Sequence, residues 1–192
     1  MEPLGVQEVI AALHRAPLLT IEETRAALAA EPDAHGFYSW WLIDPEALPG
    51  VPTSPHPTEP VGLLYIGVAP GKVTSERSLS ERFVDHTRES GRSTLRYALA
   101  SFLYDQAAWK LRWRGKPLVA KPDDRKLTTW MQNNLRVQWV GRPKPLEIEA
   151  AVVRVMLPPL NRDHNQAHPF YETVGKSRQR FREAALAAHQ RT

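Results

Sequence analysis

Cysteine is absent from the 192 residues, which excludes disulfides, thiolate nucleophiles and cysteine-ligated zinc or iron–sulfur centres. No apolar run approaches the ~20 residues that a membrane helix requires. The N-terminus carries no basic patch followed by an apolar stretch, so no secretory leader is expected and the anticipated compartment is the cytoplasm. Internal repeats and low-complexity tracts are missing too. What remains is ordinary globular composition, 42% hydrophobic and 24% charged, enough for one domain with additions at its ends.

The formal net charge of +4 conceals an asymmetry. Residues 1–60 hold two basic and nine acidic residues, whereas residues 61–192 hold 23 basic and 12 acidic ones. A polyanion would meet the second part and avoid the first, as expected of a nucleic-acid partner. An arginine-rich solvated surface would produce the same balance.

Val6, Val9, Ile10 and Leu13 fall at helical spacing, which predicts a short helix over 6–15. Thr20 with Glu23 forms a capping box opening a second helix to about Ala30. His35–Ile43 and Val61–Val68 read as strands that pair antiparallel. The six prolines from Asp44 to Pro60 predict a long loop between them. Ser78 and Glu81 open a helix ended by Gly91, and Ser93 opens another. A small hairpin is expected within the basic, irregular stretch 106–126, then a short helix over 127–134, a third strand over 135–140 and a helix over 147–157 stopped by Pro158-Pro159. A last helix begins near Tyr171. The expected fold class is α+β, a small three-stranded antiparallel sheet flanked by helices in the order β-β-α-α-β-α, with extra N- and C-terminal helices.

Several residues in this frame are candidates for chemistry. Tyr38 and Tyr65 lie on the first two strands, where tyrosines usually serve packing. Arg82 and His86 share a helix face at i, i+4 and follow a glycine turn, so they could face a phosphate. Glu149 sits among Ala150, Ala151, Val152 and Val153, and Asn161 follows Pro158-Pro159-Leu160. His164 and His168 with Asp163 have a zinc-like spacing, but with no cysteine and Pro169 adjacent they read as a polar loop.

In its GFY (36–38), YIG (65–67), LSERFVDH (79–86), helical Glu149 and PPLN (158–161) segments, the sequence resembles the GIY-YIG nuclease superfamily. The resemblance covers about residues 35–162. It implies an N-terminal helical extension over 1–34, a nuclease domain over 35–162, and a C-terminal loop and basic helix over 163–192 packed on the same domain. Phe37 stands where Ile or Val is usual, and the link between the two strands is longer than the family's minimal hairpin. Arg77 rivals Arg82 for the arginine role, and Glu147 is a weaker rival to Glu149. No appended DNA-binding module is recognisable.

The resemblance implies an endonuclease that hydrolyses DNA phosphodiesters and leaves 5′ phosphate and 3′ hydroxyl ends. In that reading Tyr65 is the general base, and Arg82 contacts the scissile phosphate. Glu149 holds one Mg²⁺ or Mn²⁺ ion, which stabilises the leaving oxygen. His86 assists near the water or phosphate, Tyr38 hydrogen-bonds within the site, and Asn161 positions the tyrosine or closes the site. Arg77, Arg112, Arg114, Lys116, Lys121, Arg125 and Lys126, interleaved with Trp109 and Trp113, would contact the nucleic acid. Cutting both strands with one active site would call for a homodimer. The alternative is a catalytically inactive nucleic-acid-binding or protein-interaction module on the same scaffold. A third reading has the acidic N-terminal region docking on the basic surface or on a partner.

Overall fold

The structure is a computed structural model that describes residues 5–88 and 90–191. It is an α+β fold built around an antiparallel sheet. The elements run α1 (Val6–Arg15), α2 (Ile21–Ala30), β1 (Gly36–Leu42), β2 (Ser54–Pro55), β3 (Gly62–Ala69), α3 (Leu79–Arg88) and α4 (Thr94–Leu103). They continue with β4 (Leu111–Trp113), β5 (Pro117–Val119), α5 (Lys121–Asn134), β6 (Leu135–Gly141), α6 (Leu146–Met156) and α7 (Tyr171–Gln190). Among the described residues no helix is long and apolar enough to cross a membrane.

The main sheet has the order β2-β3-β1-β6, four strands rather than the three expected. The fourth is the two-residue β2, which pairs Ser54 with Leu63 and Pro55 with Gly62 inside the stretch read as pure loop. A proline is tolerated there because an edge strand leaves one side unpaired. Both capping boxes form: Thr20 exchanges hydrogen bonds with Glu23, and Ser78 with Glu81. The hairpin forms as β4–β5. Helix α5 starts at Lys121, six residues before the expected 127, with a proline in its first turn followed by Asp123 and Asp124.

Helices cover both faces of the sheet. Alternate residues of β1 face opposite ways: Phe37 and Trp41 pack with Leu13 of α1 and Val152 of α6, while Tyr38, Trp40 and Leu42 join the larger core with Leu79, Leu99, Leu127 and Phe181. Helix α1 is thus part of the core, with Leu13 fully buried. The register of β3 slips once: Trp40 opposes Tyr65 but Trp41 opposes Leu63, leaving Leu64 as an extra residue. Such a bulge re-aims the side chains beyond it. Leu64 and Tyr65 consequently enter the same cluster, and Tyr65 turns toward the face that carries α3 and α4.

Beyond Leu63 the outer edge of β3 has no strand beside it among the described residues. The Pro158–Asn161 turn takes that place: Leu160 N donates to Leu64 O at 3.0 Å, Ile66 N donates to Asn161 Oδ1 at 3.0 Å, and Asn161 Nδ2 donates to Ile66 O at 2.8 Å. A side-chain amide has the donor and acceptor of a peptide unit, so one asparagine completes the edge that a strand would otherwise pair.

Candidate active site

The end of β3, the loop after it, α3, the start of α4 and α6 enclose a cleft of about 420 Å³. Tyr65, Arg82 and Glu149, far apart in sequence, all line it, together with Lys72, Arg77, Thr94 and Asp163. Gly67 forms part of its floor. A Cβ there would come within 2.2 Å of the Tyr38 hydroxyl, so only glycine lets the Tyr38 ring lie across its opposite residue in the register.

Tyr38 and His86 form a buried relay beneath the cleft. The Tyr38 hydroxyl lies 2.6 Å from His86 Nε2, and His86 Nδ1 lies 2.6 Å from Ser93 Oγ. Ser93 also accepts the Arg96 N–H as the N-cap of α4. His86 is 0% exposed. Burial, reinforced by Arg82 and Arg96, pushes its pKa down to about 3, so the imidazole is neutral and one nitrogen donates while the other accepts. His86, expected near the water or phosphate, is enclosed here, and its ring contacts are to Tyr38 and Ser93. Burial also raises the Tyr38 phenol, which is a neutral hydroxyl beside Arg82.

Tyr65 is 8% exposed, and its hydroxyl is 2.8 Å from Thr94 Oγ1. Burial raises the phenol, while the Thr94 hydrogen bond and the Arg82 and Arg178 charges pull the other way. Arg82 lies close to both phenols. Its Nε is buried without a hydrogen-bond partner, and its Nη1 is 4.0 Å from Asp85. Arg77 is held more tightly, with Nη1 at 2.5 Å from the same carboxylate. Asp85 therefore fixes both guanidiniums and leaves Arg82 the freer of the two.

Glu149 is half-buried on α6, and its carboxylate makes no hydrogen bond or ion pair with a described residue. Burial raises its pKa, His164 lowers it, and Asp163 raises it. Its rival Glu147 is exposed and faces Lys144 at 3.7 Å. Among the described residues no three His, Asp or Glu side chains gather as a metal cage. His168 Nδ1 accepts the Phe170 N–H at 3.0 Å at the start of α7. An unpartnered carboxylate at an open cleft, with the Asp163 carboxylate along the wall, suits one hydrated hard cation such as Mg²⁺ or Mn²⁺ and not a zinc cage.

Asn161 lies on the outer edge of β3, apart from the cleft residues Tyr65, Arg82 and Glu149 and the buried Tyr38–His86 pair. Both atoms of its amide are engaged with Ile66, so it holds the strand segment next to Tyr65 and does not line the cleft. The basic candidates separate. Arg77 is in the cleft. Arg112, Arg114 and Lys116 line a groove beside the hairpin. Lys121, Arg125 and Lys126 are exposed on α5, with Lys126 paired to Asp123 at 2.7 Å. Trp109, expected to stack on bases, is core instead, whereas Trp113 is only half-buried. Sequence reasoning missed Thr94 and Asp85, and it considered Asp163 only as part of a zinc-like spacing that it set aside as a polar loop. Thr94 had one legible signal: it is the first residue of a helix whose N-cap, Ser93, was recognisable.

Two strand tyrosines, a buried histidine, an arginine and a half-buried glutamate thus gather at one end of the sheet of an α+β domain. The chain belongs to the GIY-YIG family: the GIY-YIG catalytic domain matches residues 36–180, three quarters of the chain. Membership points to nuclease activity, to DNA as substrate and to use of a divalent metal. The match runs past residue 162 into α7, beyond the span the motifs covered. No curated protein and no solved structure gave a significant match.

Proposed function

We propose that the protein is a metal-dependent DNA endonuclease in which Tyr65 takes the proton of the attacking water, Arg82 binds the scissile phosphate and Glu149 carries the cation. The observation that supports this most is the shared cleft of Tyr65, Arg82 and Glu149.

Tyr65 cannot act as a standing phenolate, because burial keeps it protonated near neutral pH. It can instead accept the proton of the attacking water as it passes its own to Thr94 Oγ1, 2.8 Å away. Thr94 is exposed, so that proton has a route to solvent. The water oxygen then bonds to phosphorus, the bond to the 3′ oxygen breaks, and that oxygen takes a proton from solvent, so the products carry a 5′ phosphate and a 3′ hydroxyl. Arg82, whose guanidinium lines the cleft with a fork of N–H donors, neutralises charge on the phosphoryl oxygens. A divalent cation bound to Glu149 would supply Lewis acidity at the leaving oxygen. Tyr38 and neutral His86 hold the base of the cleft, and Asn161 holds β3 behind Tyr65.

The test is nicking of supercoiled plasmid with Mg²⁺, Mn²⁺ or chelator. Metal-dependent nicking is expected, with Tyr65→Phe and Glu149→Gln each lowering the rate by at least ~10²-fold while circular dichroism is unchanged. Full cleavage by both variants would remove the proposal.

A further inference from the structure

Beside the candidate active site lies a second cleft, of about 480 Å³. Its wall includes Thr94, the same threonine that holds the Tyr65 hydroxyl, so the two clefts share a boundary. The other walls are Tyr97 on α4, Trp113 and Pro117 on the hairpin, with Arg92 and Arg182 at the mouth. Tyr97 and Trp113 are half-buried, and both arginines are exposed. The volume falls in the ~300–1,000 Å³ range of small-ligand pockets.

The hairpin is fixed in place. Lys116 Nζ donates to Gly91 O, and α7 packs against β4 and β5. The Arg182 guanidinium lies 5.8 Å from the Trp113 ring centroid, and that of Arg178 lies 5.4 Å from the Tyr97 ring. On the far side of Lys116 a polar groove of about 340 Å³ continues with Arg112 and Arg114. The combination is an aromatic hollow ringed by cations, opening onto a site that handles phosphodiesters.

Resting on the nuclease reading for its substrate, we infer that this cleft binds an unpaired nucleobase of the DNA close to the scissile phosphate. The Arg112–Arg114 groove carries the adjoining backbone. Stacking on an aromatic side chain needs a base whose face is free, and within a duplex both faces are covered by neighbours. Arginine and lysine at the mouth supply the phosphate attraction. The substrate class is therefore DNA with a flap, gap or single-stranded end, and not continuous duplex.

The experiment measures binding by the wild-type chain in chelator, where metal-dependent cleavage is silent. A duplex bearing a short flap with 2-aminopurine as its first unpaired base is compared with a fully paired duplex of equal length. Expected are affinity about tenfold higher for the flap, quenching of the 2-aminopurine emission on binding, and loss of both in Trp113→Leu. Equal affinities would overturn the inference. So would a preference with unaltered emission, or one that persists in a folded Trp113→Leu. The quenching requires no variant, so a misfolded Trp113→Leu leaves the test intact. Flap preference without any cleavage on adding Mg²⁺ would keep this pocket and sink the nuclease reading. Cleavage with no preference would do the reverse.

Discussion

Gly67 and Tyr38 show why the second tripeptide ends in glycine. The two residues face each other across β1 and β3, and the Tyr38 ring occupies the volume that any Cβ at position 67 would need. Gly67→Ala must displace Tyr38 and with it the 2.6 Å contact to His86. Overpacking of this kind costs ~1–3 kcal/mol. The expected result is a lowered melting temperature together with cleavage reduced by at least about tenfold, read by calorimetry and plasmid nicking; an alanine variant with native rate and stability would refute this packing argument. The tyrosines could be singled out as candidates only through their tripeptides and their order. Strand tyrosines alone carry no such information, and the buried position of His86 depends on Trp40, Tyr65 and α4 closing over it, which spacing along α3 cannot reveal.

The sheet elements were legible because their signals are local. The apolar runs of β1 and β3 and the caps of α2, α3 and α4 are written within a few residues. Two features were not. Strand β2 exists because β3 offers Leu63 and Gly62 to pair with, and no pattern in a proline-rich loop announces that. Helix α5 was read short because Lys121, Arg125 and Lys126 suggested an irregular basic stretch. In the fold, its first turn is fixed by buried Arg96, which donates to the Asp124 carboxylate at 2.8 Å and to the Thr128 hydroxyl at 3.0 Å. Asn161 sits between these cases: it was expected to position the tyrosine or close the site, but its work as a substitute strand beside Ile66 was not foreseen. Asn161→Ala strands Ile66 N–H and C=O in a buried site, at ~1–3 kcal/mol for each unsatisfied group. Thermal denaturation should show that loss, accompanied by a lower turnover with little change in DNA affinity. A variant with unchanged stability would show that the edge is held by other contacts.

Across the whole chain, four histidines shift the same way. Burial lowers the pKa of His14, His56, His86 and His168 below the ordinary 6.5. A group with a lower pKa folded than unfolded makes the unfolded chain the better proton acceptor. Stability is then complete above about pH 6.5 and falls as the pH drops toward 3, the value to which His86 is displaced. The phenols of Tyr38 and Tyr65 shift upward on burial, so they favour unfolding only above their ordinary value of 10. The melting temperature should therefore be highest between about pH 7 and about pH 10 and decline on acidification to about pH 5; a flat profile from about pH 7 to about pH 5 would contradict the burial of these rings. The charge asymmetry persists in three dimensions as the basic groove at the hairpin, while the acidic N-terminal part contributes α1 to the core. Removing residues 1–30 would therefore expose apolar core.

The account stands or falls on whether Tyr65 and Glu149 work as one unit across a single cleft, and a double-mutant cycle under single-turnover cleavage with Mg²⁺ measures that coupling. Groups that act together are non-additive, so Tyr65→Phe, Glu149→Gln and the pair should each fall to nearly the same residual rate. Losses that multiply independently, or a residual rate in either variant close to that of the wild type, would contradict it.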